Sequence, residues 1–200
     1  MNCRLGLVVL SSVVLTAAAC TPPQTWPTPE PEASPTPTKP APAKAPPPAP
    51  FSGTTATAVL RDLAGRGVGS VTFTDTRAGL LLSGDVKNIG LGPHGIHIHE
   101  IGKCESPFTS AGGHYNPTSR KHGYKAVDGP HLGDLPNIDV PAAARLHFDF
   151  LLPDVSLKGR HALLDGDRAS IVIDSASDDY TTDPSGNSGG RIACGVILLK

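Results

Sequence analysis

Between Arg145 and Leu151 polar and apolar residues alternate: Leu146, Phe148 and Phe150 fall on one face, and Arg145, His147 and Asp149 on the other. A period of two places successive side chains on opposite faces of an extended chain. Ala143 to Leu151 is therefore predicted as a strand with one buried face. Strand-like runs also cover Thr54 to Leu63, Val68 to Asp75, Leu80 to Asn88, His94 to Glu100, Asp134 to Val140, Arg168 to Asp174 and Ile192 to Leu199. Turn formers separate the first four: Gly65-Arg66-Gly67, Arg77-Ala78-Gly79 and Gly90-Leu91-Gly92-Pro93. Such spacing reads as successive antiparallel hairpins. No stretch keeps a 3.6-residue period over three turns. The pattern predicts an all-β domain of about eight antiparallel strands, a sandwich or barrel. Two long irregular segments, 101 to 133 and 175 to 190, interrupt it, and loops of that length in a compact domain are usually functional.

Composition agrees, with 22 glycines and only 4% aromatic residues, which suits short strands and turns better than a helical bundle. The net charge of −1 gives no footprint for nucleic acid and no steering by total charge.

The first 50 residues break the strand pattern. Arg4 precedes an apolar or small run from Leu5 to Leu15, too short to span a bilayer comfortably, and Ala17, Ala18 and Ala19 lead to Cys20. Residues 1–19 read as an export signal. Small residues before a cysteine resemble a bacterial lipobox, which makes Cys20 the lipidated first residue of a membrane-anchored chain on the periplasmic or extracellular side. The alternative is an ordinary secretory signal cleaved nearby. Residues 21 to 50 hold 13 of the 21 prolines and have no apolar surface to bury, as in an extended tether. The folded domain is placed at 51–200. Cys3 leaves with the signal, so Cys104 and Cys194 remain as an even pair in an oxidising compartment. A disulfide between them closes a loop of about 90 residues. A thiolate metal ligand is the alternative.

Six of the eight histidines fall between His94 and Asp134. Each buried imidazole needs a partner, and a shared metal serves several at once. His97 and His99, two residues apart in a β-type run, leave the same face, and paired imidazoles suit copper or zinc. His94 has the opposite parity and reads as a structural histidine. His114, His122 and His131 with Asp134 supply three imidazoles and a carboxylate, the donor set of a closed tetrahedral zinc site.

The segments GPHGIHIHE, SAGGHYNPTSRKHG, GPHLGDLPNI and GNSGGRIACGVI resemble, in order, the signature blocks of the copper/zinc superoxide dismutase family, in its bacterial exported form. The resemblance covers residues 54 to 200. It implies an eight-stranded Greek-key barrel with copper and zinc as cofactors. It implies that His97 and His99 hold copper, that His114 bridges copper and zinc, and that His122, His131 and Asp134 complete the zinc site. Cys104 and Cys194 correspond to the family disulfide, Arg191 to the arginine that guides superoxide, and Asp178 to the carboxylate joining a copper histidine to a zinc histidine. His114 and Arg191 are then the residues that act on the substrate. Members of the family pair differently, which leaves a homodimer open.

One position departs. The family pattern places a fourth copper histidine where this chain reads VIDSASDDY, so Asp174 stands in its place. His161 and His147 are poor substitutes by position. A carboxylate is a harder ligand than imidazole and favours the oxidised ion, so Asp174 offers at best a weak fourth position. The implied function is dismutation of superoxide to hydrogen peroxide and oxygen, protecting the cell envelope. The alternative is a weak or inactive relative, a zinc-stabilised domain that binds or carries copper.

Overall fold

The computed structural model describes residues 53–200. The export signal, Cys20, the proline-rich tether and Phe51, where the domain was placed to begin, lie outside the described residues. Within them the chain forms ten strands and one short 3-10 turn (Thr109–Ala111). The strands are β1 (Thr55–Asp62), β2 (Gly67–Thr76), β3 (Gly79–Lys87), β4 (Gly92–His94), β5 (Ile96–His99), β6 (Ile138–Val140), β7 (Arg145–Leu152), β8 (Ser170–Asp174), β9 (Arg191–Val196) and β10 (Leu198–Leu199).

The main sheet runs β5-β8-β9-β1-β2-β3-β7, with β10 also paired to β1; β4 and β6 form a second, two-stranded ladder. All pairings between strands are antiparallel. The neighbour of β3 is β7, not the next strand in sequence, so the chain crosses to the far side before returning, as in a Greek key. The sheet curls into an antiparallel half-barrel.

Alternation builds the core. Ala56, Ala58 and Leu60 of β1, Val71 and Phe73 of β2, and Leu80 and Leu82 of β3 point inward and are fully buried. Each large apolar side chain so buried contributes on the order of 1.5–3 kcal/mol. On β7, Phe148 is buried while Arg145, His147 and Asp149 stay in solvent, as the alternation predicts.

Two strands are buried on both faces. All four residues of β5 and all five of β8 are buried. Ile96, Ile98, Ile171 and Ile173 join the core. The other parity, His97 and His99 with Ser170, Val172 and Asp174, lies on the opposite face of the two strands.

The run predicted as one strand from His94 to Glu100 is divided at Gly95. Gly95 N–H donates to Ala176 O at 2.8 Å and its carbonyl accepts Asp174 N–H at 2.9 Å, so one residue serves the end of β8 while its neighbours turn to different ladders. A Cβ there would lie 3.0 Å from both His97 Cε1 and Ser188 Cβ, which explains the glycine. The predicted strand from Asp134 forms only at Ile138–Val140; Asp134 turns instead to the histidine cluster and Asn137 to Asp178.

Candidate metal centre

The long loop is stitched onto β5 from both sides. Ile98 N–H donates to Gly133 O and Ile98 O accepts Tyr115 N–H, both at 2.8 Å, and Glu100 N–H donates to Gly113 O at 3.0 Å. These bonds set His114 opposite His99 and Asp134 opposite His97. Residues distant in sequence thus meet the paired histidines of β5.

Asp134 is the hub of one half. Its Oδ1 lies 2.9, 3.1 and 3.3 Å from the Nδ1 atoms of His114, His122 and His131. Its Oδ2 is taken by the N–H groups of Gly123 at 2.8 Å and His131 at 3.0 Å. Burial pushes the Asp134 carboxyl up, but the hydrogen bonds from the imidazoles and from Gly123 outweigh it and hold the group well below the usual carboxylate range. Tetrahedral ligands at ~2.0–2.1 Å from one ion stand about 3.3 Å apart, close to the three separations seen. His131 Nδ1 is buried without a hydrogen-bond partner.

The other half is built on β5. Ligand atoms of His97, His99 and His114 all lie within 4.8 Å of one another, so His114 belongs to both groups. His114 stacks on His97 with ring centroids 4.1 Å apart. His99 Nδ1 faces Gly112 O at 3.0 Å, which fixes it as the protonated nitrogen and leaves Nε2 with its lone pair. That Nε2 is buried and has no partner. Burial, then the His114 and Arg191 charges, push the His99 pKa well below its ordinary value. Burial also lowers His114, against the pull of Asp134. His97 goes the other way: burial lowers its pKa, but Asp174 and Asp178 outweigh it and raise it.

Asp178 connects the halves. Its Oδ2 lies 2.9 Å from His97 Nε2 and its Oδ1 lies 3.0 Å from His122 Nε2. Asn137 holds it in place, accepting Asp178 N–H and donating to Asp178 O, both at 2.8 Å. Arg191 opens β9, half-buried, and its guanidinium donates to Phe108 O at 2.6 Å and Gly112 O at 2.7 Å. Gly112 O thus orders both His99 and Arg191. Cys104 and Cys194 form a disulfide with Cα atoms 5.6 Å apart, tying the start of the long loop to β9.

Asp174 ends β8, and its Oδ2 faces His97 Nδ1 at 3.0 Å and Ser188 Oγ at 2.8 Å. It is not among the residues whose ligand atoms converge with His99 and His114. His94 is buried with its nitrogens on Asp174 O at 2.7 Å and Gly90 O at 3.2 Å, in keeping with a structural role. His147 pairs with Asp85 at the surface, and His161 lies beside Arg160; neither joins a cluster.

Sequence reasoning missed Asn137 and Ser188. Both act through hydrogen bonds to residues distant in the chain, which leave no periodic or spacing signal.

Residues 68–197 match the family described as copper/zinc superoxide dismutase (SODC). A copper-zinc superoxide dismutase of Caulobacter vibrioides is 43% identical over 148 residues, covering 72% of this chain and 85% of that protein. Superoxide dismutase [Cu-Zn] 2 of Aquifex aeolicus is 41% identical over 148 residues, covering 71% and 85%. The crystal structure of a superoxide dismutase-like protein from Bacillus subtilis superposes with a TM-score of 0.69 at 37% identity, covering 71% of this chain and 97% of that one.

The chain belongs to the copper/zinc superoxide dismutase family. Membership implies copper and zinc as cofactors. The donors present fit both: a carboxylate oxygen 2.9 to 3.3 Å from three Nδ1 atoms on one side, and three clustered imidazoles on the other. Two buried imidazole nitrogens make no hydrogen bond, His99 Nε2 in one half and, 3.3 Å from Asp134 Oδ1, His131 Nδ1 in the other, and a cation in each half would account for both.

Proposed function

We propose that this protein is an exported superoxide dismutase whose domain holds zinc at His114, His122, His131 and Asp134 and copper at His97, His99 and His114. The observation that carries the reading is the shared His114, with Nδ1 turned to Asp134 and the rest of the ring among His97 and His99. Bound copper supplies the one-electron chemistry by which two superoxide anions and two protons become oxygen and hydrogen peroxide.

The chain's own residues do the rest. Arg191 places a cation beside the three imidazoles, and its two carbonyl partners hold the guanidinium in a fixed orientation for an anion. His114 holds a proton at Nε2 when that nitrogen is free and delivers it to the reduced substrate. The zinc set that includes Asp134 would engage Nδ1 of the same ring, so the proton exchanges at one atom only. The buried strands β5 and β8 keep the histidines aligned through the cycle.

A second reading, a zinc-stabilised relative that binds or carries copper with little turnover, is favoured by Asp174. A carboxylate there supports Cu(II) over Cu(I), and the chain provides only three imidazoles for copper. The test compares the copper- and zinc-loaded protein with Asp174→His in a dismutation assay. Dismutation by the wild type well above a metal-free control supports the enzyme. A wild type equal to that control beside an active Asp174→His variant favours the carrier.

Export and anchoring belong to the same proposal. A leader over residues 1–19 and lipid on Cys20 place the domain outside the cytoplasm, where envelope superoxide arises. Cys20→Ser is expected to move the protein from the membrane fraction to the soluble fraction; an unchanged distribution would argue against the lipid.

A further inference from the structure

Asp174 and Ser188 form a pair that nothing in the metal sets requires. Asp174 is 4% exposed and Ser188 2%. Ser188 comes from the segment between β8 and β9, where its carbonyl accepts Ala176 N–H at 2.9 Å. The loop thus fixes the hydroxyl independently of the carboxylate it touches. Ser188 Oγ lies 2.8 Å from Asp174 Oδ2 and 2.9 Å from Ser185 O.

The geometry around Asp174 is divided. Its Oδ2 stands 3.0 Å from His97 Nδ1, about the separation of two ligands sharing one ion with bonds of ~2.0 Å. Yet Asp174 is absent from the set whose ligand atoms lie within 4.8 Å of one another at His97, His99 and His114. Two ligands at ~2.0 Å from one ion are at most about 4 Å apart. The carboxylate therefore stands next to one ligand and outside the set, and it must swing to join.

We propose that Ser188 is a positioning residue that holds the Asp174 carboxylate beside, rather than on, a copper ion seated at His97, His99 and His114, leaving one position of that ion open to an outside anion. The proposal rests on the copper reading above. A carboxylate tethered so near the ion competes with any dissolved anion as though present at high concentration. The Ser188 hydrogen bond opposes that competition. Arg191, the ladder partner of Asp174 at the start of β9, is the cation that would orient the arriving anion.

The test uses the full chain loaded with zinc and Cu(II), read by electron paramagnetic resonance and by titration with azide as the probe anion. Ser188→Ala is expected to change the copper hyperfine splitting as an oxygen joins the ion. It should also raise the azide dissociation constant about tenfold, since an internal ligand now occupies the position. Ser188→Thr, which keeps the hydroxyl, restores both readings. In an Asp174→Ala background, removing Ser188 changes neither. Ser188→Cys fills the same space with a weaker donor and should shift both readings in the same direction, so a poorly folding alanine variant does not close the test. Wild-type spectra and azide affinity in both the alanine and cysteine variants overturn the proposal, as does an equal shift when Asp174 is already alanine. Failure of the copper reading is recognised separately: His99→Ala would then leave the copper spectrum of the wild-type background unchanged, and both would fall together.

Discussion

Asp178 joins imidazoles that belong to different halves of the centre, and it does so with one oxygen for each. Removing such an outer partner frees the ring orientation of both ligands, at a cost of about 10–100-fold in metal affinity. Asp178→Ala is expected to weaken copper and zinc together in chelator competition; a loss confined to one metal would contradict a shared bridge. Gly186 guards the same contact. It has φ +68°, and a Cβ would collide with Asp178 Oδ1. His122 gives a prediction in pH. Burial lowers its pKa, but the carboxylates of Asp134 and Asp178 lift it from 6.5 to about 9. In the metal-free protein the imidazolium therefore contributes stability that is fully present below pH 6.5 and is lost as pH rises through about 9. In the proposed zinc site the ion would take a ring nitrogen of His122 in place of a proton. The melting temperature of the metal-free protein should fall across that window while the zinc-loaded protein stays level. Parallel falls would mean that zinc does not displace this proton.

At the level of elements, β5 is a strand whose two faces have different tasks. The alternation in Ile96-His97-Ile98-His99 anchors the isoleucines in the core and turns the imidazoles toward the loops. That division was legible in four residues, because a period of two needs no more. The strand's interruption at Gly95 was not, since it depends on Ala176 and Asp174 arriving from another part of the chain. The ligand loop was legible only as residue types at intervals, and its attachment to β5 through Gly113, Tyr115 and Gly133 was not. Those contacts are backbone bonds, to which side-chain patterns are blind. Phe108, Ala111, Tyr115 and Leu132 pack parts of the loop onto the hydrophobic clusters, and Asp134 with its three imidazoles ties down the rest. His131→Ala is expected to lower the melting temperature in zinc buffer and raise amide exchange over residues 115 to 133; unchanged values would remove zinc as the loop's organiser. The disulfide acts on the same loop from its other end. Its 90-residue separation corresponds, in the chain-entropy model, to at most ~4–5 kcal/mol. Replacing Cys104 and Cys194 by serine should lower the unfolding free energy obtained from denaturant melts by ~2–4 kcal/mol. Loss of much less would mean that the unfolded chain is already constrained there.

For the whole molecule the charge is −1, so any attraction of superoxide must be local. Arg120, Lys121 and Lys125 also lie on the long loop, but their charged ends are held at other groups than the imidazoles. Arg120 donates to Gly129 O at 3.0 Å, Lys121 pairs with Asp183 at 3.0 Å, and the Lys125 ammonium lies 5.6 Å from the centre of the Tyr180 ring. Asp183 serves twice, since it also accepts the N–H of His122 at 3.0 Å, so the cation it neutralises is bound to the loop that carries the ligands. Arg191 is then the main positive charge facing the imidazoles, and its half-buried position keeps it close to the reacting centre. Focused fields raise anion on-rates by 10–10³ in roughly the measure that several cations act together. One arginine predicts the low end of that range and a shallow dependence on salt, because screening over about 8–10 Å leaves a charge in contact with the site little affected. The second-order rate constant for superoxide, followed against ionic strength, should therefore fall by less than about tenfold between low salt and 0.15 M. Arg191→Ala should lower the constant and flatten the remaining slope. Asp183→Asn, which releases Lys121, should raise the constant at low salt and steepen the slope. A steep slope in the wild type that survives loss of Arg191 would place the steering charge elsewhere on the surface.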